Sequence, residues 1–418
     1  MKIRIPYFIL FLLCCSFLAT GFTSCADEDT GVPTDKISLG KAVVCLTSLS
    51  EDLSGMDVQL RNIQTGSVFV EKTNEEGVAV FTTVPGNYEA LVSSKRIKNG
   101  QMYIYNGTSG QLTVLKNQSV NVSIPMHLAT ISQLVIKELY CGGCMKDDGV
   151  TAFFYDKYVS LYNNSDQPAS LENLCFGMAS PANAQATNYN YTAEGHLNYE
   201  NEGFIPLWNG IWYFPQTLTV APYSEIIVNI HGAINNTLTV SQSVSFANPD
   251  YYCMFDPESG YINQSYCPTP SEVIPTSHYL KAVVYGQGNA WPFSNSSPTL
   301  VLFQTHGISP SDFAHNVENY WYDGGNVGAI KRCVKIPNSW IVDAVEVFSN
   351  DYPTQCVKRL TADVDAGYVW LTNKKGHSLH RHIDKEATEA SGGHTVYKDT
   401  NNSSNDFYER DICSLRDQ

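Results

Sequence analysis

The chain has 418 residues and a formal net charge of −15, and 16% of its residues are charged while 12% are aromatic. A body this acidic is repelled by phosphate backbones, which argues against nucleic acid as a partner. Few charges combined with many aromatic and uncharged polar residues are typical of extracellular β-rich proteins, and the length suffices for two or three domains.

Residues 1–24 are predicted to be a lipoprotein signal peptide. A basic start precedes an apolar run from Ile5 to Ala19, which is too short for a membrane span. The GFTSC that follows resembles the lipobox of bacterial lipoproteins, and this resemblance implies that Cys25 carries acyl chains. Two or three such chains hold a protein stably at a membrane. The alternative is ordinary cleavage nearby, which leaves Cys25 as a free thiol.

Residues 25–36 are predicted to be an acidic and polar tether. Their acidic run, ADED, resembles the surface-export signal of Bacteroidota-type lipoproteins, although short acidic runs are commonly just solvated charge. We therefore expect an outer-membrane lipoprotein that faces the cell exterior, with the lipid as its membrane anchor.

Residues 37–128 are a series of short apolar or alternating runs, each closed by Gly, Asn or Pro. Their close spacing predicts an antiparallel β-sandwich. The order GMDVQL, TG, TNEEG and VPGNY resembles the prealbumin-like, carboxypeptidase-regulatory-like modules. This resemblance implies an Ig-like spacer or interaction domain without catalytic residues.

Residues 129–418 resemble a larger, lamin-tail-like β-sandwich. The resemblance rests on ISQLVIKELY, on DKYVSLYNNSD and, near the end, on HSLHR and DTNNSSNDF. Further strands are predicted at SEIIVNIHG, SHYLKAVVYG, SPTLVLFQT and WIVDAVEVF. The stretches 176–218 and 235–275 are predicted to be long loops, and we expect any ligand contacts there first.

Together, these segments make the chain an all-β protein in which a small sandwich is followed by a larger one. The combination resembles an uncharacterised family of Bacteroidota lipoproteins known only as a domain of unknown function. This resemblance implies a fold and a location, but no activity.

Nine cysteines remain once the signal peptide and Cys25 are set aside. Outside the cytosol disulfides are the default expectation, but their connectivity does not follow from sequence. Cys141 and Cys144 form a CxxC followed by the loop-like MKDDG, whereas a redox pair needs a helix N-terminus at its first cysteine. We interpret them as structural disulfide partners, with a redox or metal site as the alternative.

Metal and catalytic patterns are weak. The HSLHRH histidines lie among lysines and an arginine, and the acids of TADVDAG are followed by apolar residues, so both segments favour ordinary strand and turn structure. The chain has no serine elbow, HExxH, P-loop or dinucleotide fingerprint. We therefore predict no cofactor, no metal and no enzymatic activity.

Aromatic clusters supply the candidate binding residues. Exposed rings stack well on sugars or protein partners, whereas most rings in a β-sandwich are core. The candidates are Trp208, Trp212, Tyr213, Trp291, Tyr320 and Trp321. The working hypothesis is a non-catalytic cell-surface binding protein that captures a glycan or peptide and assists an outer-membrane transporter. An adhesin or structural envelope component is the second hypothesis, and a hydrolase is the third.

Overall fold

Apolar residues at every second position produce the strands that dominate this computed structural model. The structure describes residues 38–47, 52–98, 101–129, 132–179, 190–325 and 327–417. The predicted signal peptide, the lipidation site Cys25 and the acidic tether lie outside these residues. The expectation of an all-β sandwich protein is confirmed.

An N-terminal sandwich is built from eight strands in two sheets. Its strands are β1 Gly40–Thr47, β2 Asp57–Asn62, β3 Val68–Lys72, β4 Val78–Thr83, β5 Gly86–Lys98, β6 Gln101–Val114, β7 Ser119–Pro125 and β8 His127–Ala129. The five-stranded sheet has the order β3-β2-β5-β6-β8 and the three-stranded sheet has the order β4-β1-β7. Two runs predicted as separate strands, QMYIYNG and QLTVLKN, contribute to the single long strand β6.

The two sheets of the N-terminal sandwich enclose one apolar core. Strand β1 shows the principle, since Ala42, Val44 and Leu46 are buried while their neighbours are not. Val58 and Leu60 of β2 face them from the other sheet and are fully buried. The edge strand β3 differs, because all five of its residues are exposed.

A large sandwich follows, with nineteen short strands among the described residues. Its first ten are β9 Leu134–Tyr140, β10 Cys144–Met145, β11 Ala152–Phe153, β12 Tyr158–Asn163, β13 Ala169–Ser170, β14 Leu174–Met178, β15 Phe204–Trp208, β16 Gly210–Tyr213, β17 Thr219–Val220 and β18 Glu225–Asn229. The others are β19 Tyr252–Cys253, β20 Lys281–Val284, β21 Thr299–Gln304, β22 Tyr320–Tyr322, β23 Arg332–Pro337, β24 Ile341–Ser349, β25 Val369–Leu371, β26 Ser378–Arg381 and β27 Phe407–Arg410.

Three layers make up this large sandwich. A six-stranded sheet, β19-β18-β12-β9-β26-β27, packs on a second, β20-β16-β14-β21-β24-β25, and a three-stranded sheet, β15-β23-β22, covers the outer face of the second. Three short α-helices lie in the described connections: α1 Pro310–His315, α2 Lys385–Ala390 and α3 Ser403–Asp406. None of the described helices has the length and apolar character needed to cross a membrane.

Four strands predicted for the large sandwich are found where expected, as β18, β20, β21 and β24. The predicted loop 176–218 is partly wrong, because strands β15 and β16 lie inside it. The predicted loop 235–275 contains β19 and two short 3-10 turns. Both stretches are rich in Asn, Tyr and Pro, and this turn-forming composition hides the short strands.

A buried carboxylate marks the contact between the two sandwiches. Glu89 of β5 is buried, and its carboxylate lies near Tyr368 and Lys358 of the large sandwich. Burial raises the pKa of Glu89, and the nearby charge of Lys358 opposes that shift. The predicted domain boundary near residue 128 stays a prediction.

Candidate functional site

The aromatic residues predicted to bind a ligand do not form one exposed surface. Trp212 and Trp291 are each only 1% exposed and belong to the core between the two six-stranded sheets. The indole nitrogen of Trp291 donates to the Gly210 carbonyl at 3.0 Å. Neither ring is available to a ligand in this conformation, which corrects the expectation of a contact surface there.

The other four aromatic candidates are half-buried. Trp208 and Trp321 both pair in register with the central strand of the three-stranded sheet. The Trp208 indole donates to a backbone carbonyl at 2.8 Å, and the Trp321 ring packs edge-on against Phe204, with ring centroids 5.3 Å apart. Tyr213 and Tyr320 pack against the apolar core between the second six-stranded sheet and the three-stranded sheet. These contacts are those of side chains that hold layers together.

The CxxC segment is a buried turn. Gly143 has φ +68°, and a Cβ there would lie 2.1 Å from the Phe153 carbonyl, so only glycine fits. Cys141 and Cys144 are free and fully buried, and burial raises the pKa of each thiol to about 12. Thiols with such pKa values are poor nucleophiles and poor metal ligands.

Buried ionisable groups follow this turn. Asp156 is buried, and its Oδ2 accepts from the Tyr140 hydroxyl at 3.0 Å and from Ser243 Oγ at 2.7 Å. Burial raises the pKa of Asp156 to about 6 and lowers the pKa of the neighbouring Lys157 to about 8. Within the described parts of the chain, no group of three or more His, Cys, Asp or Glu residues could hold a metal ion.

A cleft of about 540 Å³ opens at one end of the first six-stranded sheet, and we call it the sheet-end cleft. Strand β9 begins at this end, while the antiparallel strands β12 and β26 finish there. The residues that line it follow or precede these strand ends: Ser132, Gln133, Asn164, Ser165, Gln167, Asp384, Ala387, Val396, Tyr397 and Asp399. Its volume is within the range of small-molecule sites.

Amide side chains fix the wall of the sheet-end cleft. The Asn164 amide donates to the Tyr397 carbonyl at 2.7 Å and accepts from the Tyr397 amide at 2.8 Å, as a neighbouring strand would. Gln133 Nε2 donates to Ser165 Oγ and to the Gln167 carbonyl, both at 2.7 Å. Because these groups are held by backbone and side-chain partners, the wall is preorganised.

The opposite wall is the segment that carries α2. Asp384 caps this helix, since its Oδ1 accepts from the Ala387 amide at 3.0 Å. Two glycines with positive φ, Gly392 and Gly393, follow the helix and return the chain toward Tyr397.

A strained tyrosine lies beside the cleft. Tyr223 has φ +50°, in the left-handed region that non-glycine residues rarely adopt. Its amide donates to the Ser165 carbonyl at 3.3 Å, and its ring stacks on His394 with centroids 4.5 Å apart. Strained residues held in this way cluster at functional sites.

The floor of the cleft reaches an ionic cluster around Arg381. This guanidinium contacts Asp343 at 2.5 Å, Asp399 at 3.5 Å and Asp406 at 3.6 Å, and all four side chains are almost fully buried. Burial raises the pKa of Asp343 to about 7 and that of Asp406 to about 6, although Arg381 opposes both shifts. Asp399 connects this cluster to the cleft, because it also lines the cavity.

A second concavity, of about 600 Å³, is lined by Pro125 and by eight residues between Thr192 and Glu202. Most of these residues are exposed. We favour the sheet-end cleft because its walls are fixed by hydrogen bonds and one of its carboxylates is buried.

Sequence reasoning did not find the sheet-end cleft. The segments DKYVSLYNNSD and HSLHR with DTNNSSNDF were linked only through a fold resemblance, and the predicted ligand-binding loops 176–218 and 235–275 contribute none of its lining residues. The available signal was polar residues directly after apolar strands, at Asn164 and Asp384. Antiparallel pairing of those strands with β9 brings them to one end of the sheet.

Comparisons with known proteins support the fold. Residues 221–414 match the family described as a protein of unknown function (DUF4876). The chain is similar to a crystal structure of a DUF4876 family protein from Bacteroides thetaiotaomicron VPI-5482, with a TM-score of 0.56 and 20% identity over 89% of this chain and 95% of that chain. A DUF3823 family protein from Parabacteroides merdae ATCC 43184 also matches, with a TM-score of 0.16 and 9% identity over 47% of this chain and 83% of that chain. No curated protein matches.

The family match includes Asp384, Tyr397 and Asp399 of the cleft but leaves Asn164 outside it. The first structural likeness, at 20% identity, is one of fold. These findings support the predicted resemblance to an uncharacterised Bacteroidota family, and they bring no activity with them.

Proposed function

We propose that this chain is a lipid-anchored, non-catalytic binding protein that captures a small polar ligand, such as a glycan or a peptide, at the bacterial cell surface. The observation that carries the proposal is the sheet-end cleft, a concave site whose surface is mostly apolar and whose polar groups are held in place by hydrogen bonds. The lipobox-like sequence that ends at Cys25 supports the location.

The polar groups of the cleft favour capture over hydrolysis. A glycosidase needs two carboxylates that are free to act on the scissile bond. In this cleft the Asp384 carboxylate caps α2, which leaves Asp399 as the other lining carboxylate and gives no free pair. A bound ligand is therefore expected to leave the protein unchanged.

The test is a binding screen with the purified chain against glycan and peptide collections, followed by titration of each hit into an Asn164→Leu variant. Leu removes both hydrogen bonds to Tyr397, so we expect the affinity for a cleft ligand to fall at least tenfold. His196→Ala, in the second concavity, is the matched control and should bind as the unaltered chain does. If the screen yields no ligand, or if Asn164→Leu binds every hit normally, the proposal fails. Chromatography of the recovered ligand checks that it is intact.

Assistance to a transporter is the part of the proposal that concerns partners. Cross-linking of the natively lipidated protein, followed by gentle detergent extraction and mass spectrometry, should recover an outer-membrane transporter. Recovery of the protein alone would argue for capture without a transporter.

An adhesin or structural envelope component is the second candidate. The observation that favours it is edge strand β3, whose Val68, Phe69 and Val70 are between 42% and 54% exposed. Exposed apolar edge strands are prone to pair with other chains. A deletion strain that loses cell attachment but grows normally on every nutrient would favour this candidate over ligand capture.

A further inference from the structure

The charges around Arg381 do not balance. One guanidinium faces three buried carboxylates, those of Asp343, Asp399 and Asp406. Its other donors are used on backbone carbonyls, since Nε donates to Ile136 at 2.7 Å and Nη1 donates to Lys398 at 2.9 Å. Asp343 also accepts from the Ile136 and Ala344 amides, and Asp406 accepts from the amide and hydroxyl of Thr400. Buried carboxylates are ordinarily satisfied by cations or by several donors, and among these three Asp399 has the fewest.

Of these three carboxylates, Asp399 is the one that lines the cleft. Its side chain is 2% exposed, and its Oδ1 makes only the long 3.5 Å contact to Arg381. Its Oδ2 is buried and has no hydrogen-bond partner among the residues that the structure describes. Because Asp399 also lines the cleft, a ligand there meets a carboxylate that lacks a donor.

The cleft supplies no cation of its own. Its charged lining residues are Asp384 and Asp399, and neither Lys nor Arg lines it. Of the lysines near its walls, Lys137 forms a 2.8 Å ion pair with Glu225, and Lys398 Nζ donates to the Asn405 carbonyl at 3.2 Å. Lys385 is exposed at the start of α2 and does not line the cleft. An anionic ligand is therefore disfavoured, and a ligand that brings positive charge and donors is favoured.

We propose that the sheet-end cleft takes a ligand whose primary ammonium group sits beside Asp399. An ammonium group carries one charge and three donors, so it satisfies the unpartnered oxygen and offsets the excess negative charge. The hydroxyl and amide groups of Ser132, Ser165 and Gln167 suit the polar remainder of the same molecule. This inference rests on the proposed capture function and narrows its ligand class.

Two sources supply this chemistry, an amino sugar and the free α-amino group of a peptide, and matched probes separate them. Calorimetric titration of the purified chain would compare glucosamine with N-acetylglucosamine, and triglycine with N-acetyl-triglycine. Acetylation removes the charge and leaves most of the probe unchanged. We expect the ammonium form to bind at least tenfold more tightly in one pair, and that pair identifies the source.

Two variants then test whether the Asp399 carboxylate binds the ammonium group. Asp399→Asn keeps the shape of the side chain and removes its charge, so ammonium binding should weaken at least tenfold. Asp411→Asn removes the same charge at a side chain that is 93% exposed and should leave binding unchanged. The comparison of free and acetylated probes uses the unaltered chain, so it is decisive even where the Asp399 variant fails to fold.

The results separate a failure of this inference from a failure of the proposed capture function. Equal binding of free and acetylated probes, no binding of either ammonium probe, or normal binding by a folded Asp399→Asn variant overturns the inference. If uncharged ligands from the broad screen still bind in the cleft, the proposed capture function stands without it. If nothing binds, both fail.

Discussion

The N-terminal sandwich and the large sandwich are both two-sided β-structures, but their interiors differ. The described interior of the N-terminal sandwich is apolar apart from a few hydrogen-bonded polar residues and Glu89, which lies at the contact with the large sandwich. The large sandwich buries many ionisable side chains: Glu138, Asp156, Lys157, His231, Asp256, Asp323, Asp343, Glu346, Arg359, Asp365, Arg381, Asp399 and Asp406. The first interior needs only shape and alternation, whereas the second also depends on matching charges.

The sheet-end cleft lies in the sandwich whose interior contains the many ionisable groups. Buried ionic and hydrogen-bonded groups contribute little net stability, but they restrict which segments can lie together. In the large sandwich they connect β9, β24 and β26 to the segment that carries Asp399. We infer that the charged interior fixes the irregular chain around the cleft, a task that the N-terminal sandwich does not have.

The largest effect should come from Arg381→Met. This change leaves three buried carboxylates without their cation, and breaking a buried ion pair in this way costs about 4 kcal/mol. Denaturant unfolding would measure the loss, and hydrogen exchange should locate it in the large sandwich. The control is Lys72→Met on edge strand β3, where Lys72 and its partner Asp57 form an exposed ion pair, with an expected cost under about 1 kcal/mol. Equal losses of unfolding free energy for the two changes would contradict the view that the large sandwich depends on its buried charges.

Leu60→Ala should destabilise the N-terminal sandwich by about 3 kcal/mol. Leu60 is fully buried in the apolar core between the two sheets, so the change removes transfer energy and leaves a cavity. Hydrogen exchange should show faster opening of β1, β2 and β5, with the cleft segments unaffected. Faster exchange at the cleft instead would mean that the two sandwiches unfold as one unit.

The buried Lys157 should make the unfolding free energy depend on pH. Burial lowers its pKa from 10.5 to about 8, so above pH 8 the unfolded chain binds more protons than the folded chain at this position. Stability should therefore rise with pH for this group, by about 2 kcal/mol between about pH 8 and pH 10. Lys157→Met should lack this rise. The difference in unfolding free energy between the unaltered chain and the variant should therefore grow as the pH increases across this range. A constant difference across this range would contradict the prediction.

Val70→Thr should change stability by less than about 0.5 kcal/mol. Val70 is in the same hairpin as Leu60 but is 54% exposed, so the substitution neither opens a cavity nor buries a hydroxyl. Thermal unfolding of the two variants side by side compares an exposed with a buried apolar position. A cost above about 1 kcal/mol would show that another part of the protein covers β3.

Much of the fold could be predicted from sequence, and for a physical reason. Strands such as β1, β2 and β24 carry alternating or continuous apolar runs bounded by turn residues, and those local signals agree with the final structure. The short strand β15 was missed because it pairs with β23, and β16 was missed because it pairs with β14 and β20, and all of these partners lie far away in sequence.

The candidate site was less predictable. Trp212 and Trp291 resemble binding residues in composition, but their place in the core is set by the packing of two sheets. Asp399 and Asn164 are ordinary polar residues in sequence, 235 positions apart, and only the pairing of β9 with β12 and β26 brings their segments together. Non-local pairing of this kind leaves no local pattern.

The parallel pairing of β1 with β7 has a mechanical consequence. Seven residue pairs, from Lys41 with Ser119 to Thr47 with Pro125, align β1 with β7, and the chain continues from β7 through the short edge strand β8 to the large sandwich. With the proposed anchor at Cys25, drag on a captured ligand would first load the three residue pairs of β8 with β6. Once β8 detaches, it would pull the start of β1 and the end of β7 in opposite directions along the strand axes. That geometry loads the interstrand hydrogen bonds in shear, so they resist together and do not unzip one at a time. The N-terminal sandwich would then act as a force-bearing link between the membrane and the large sandwich.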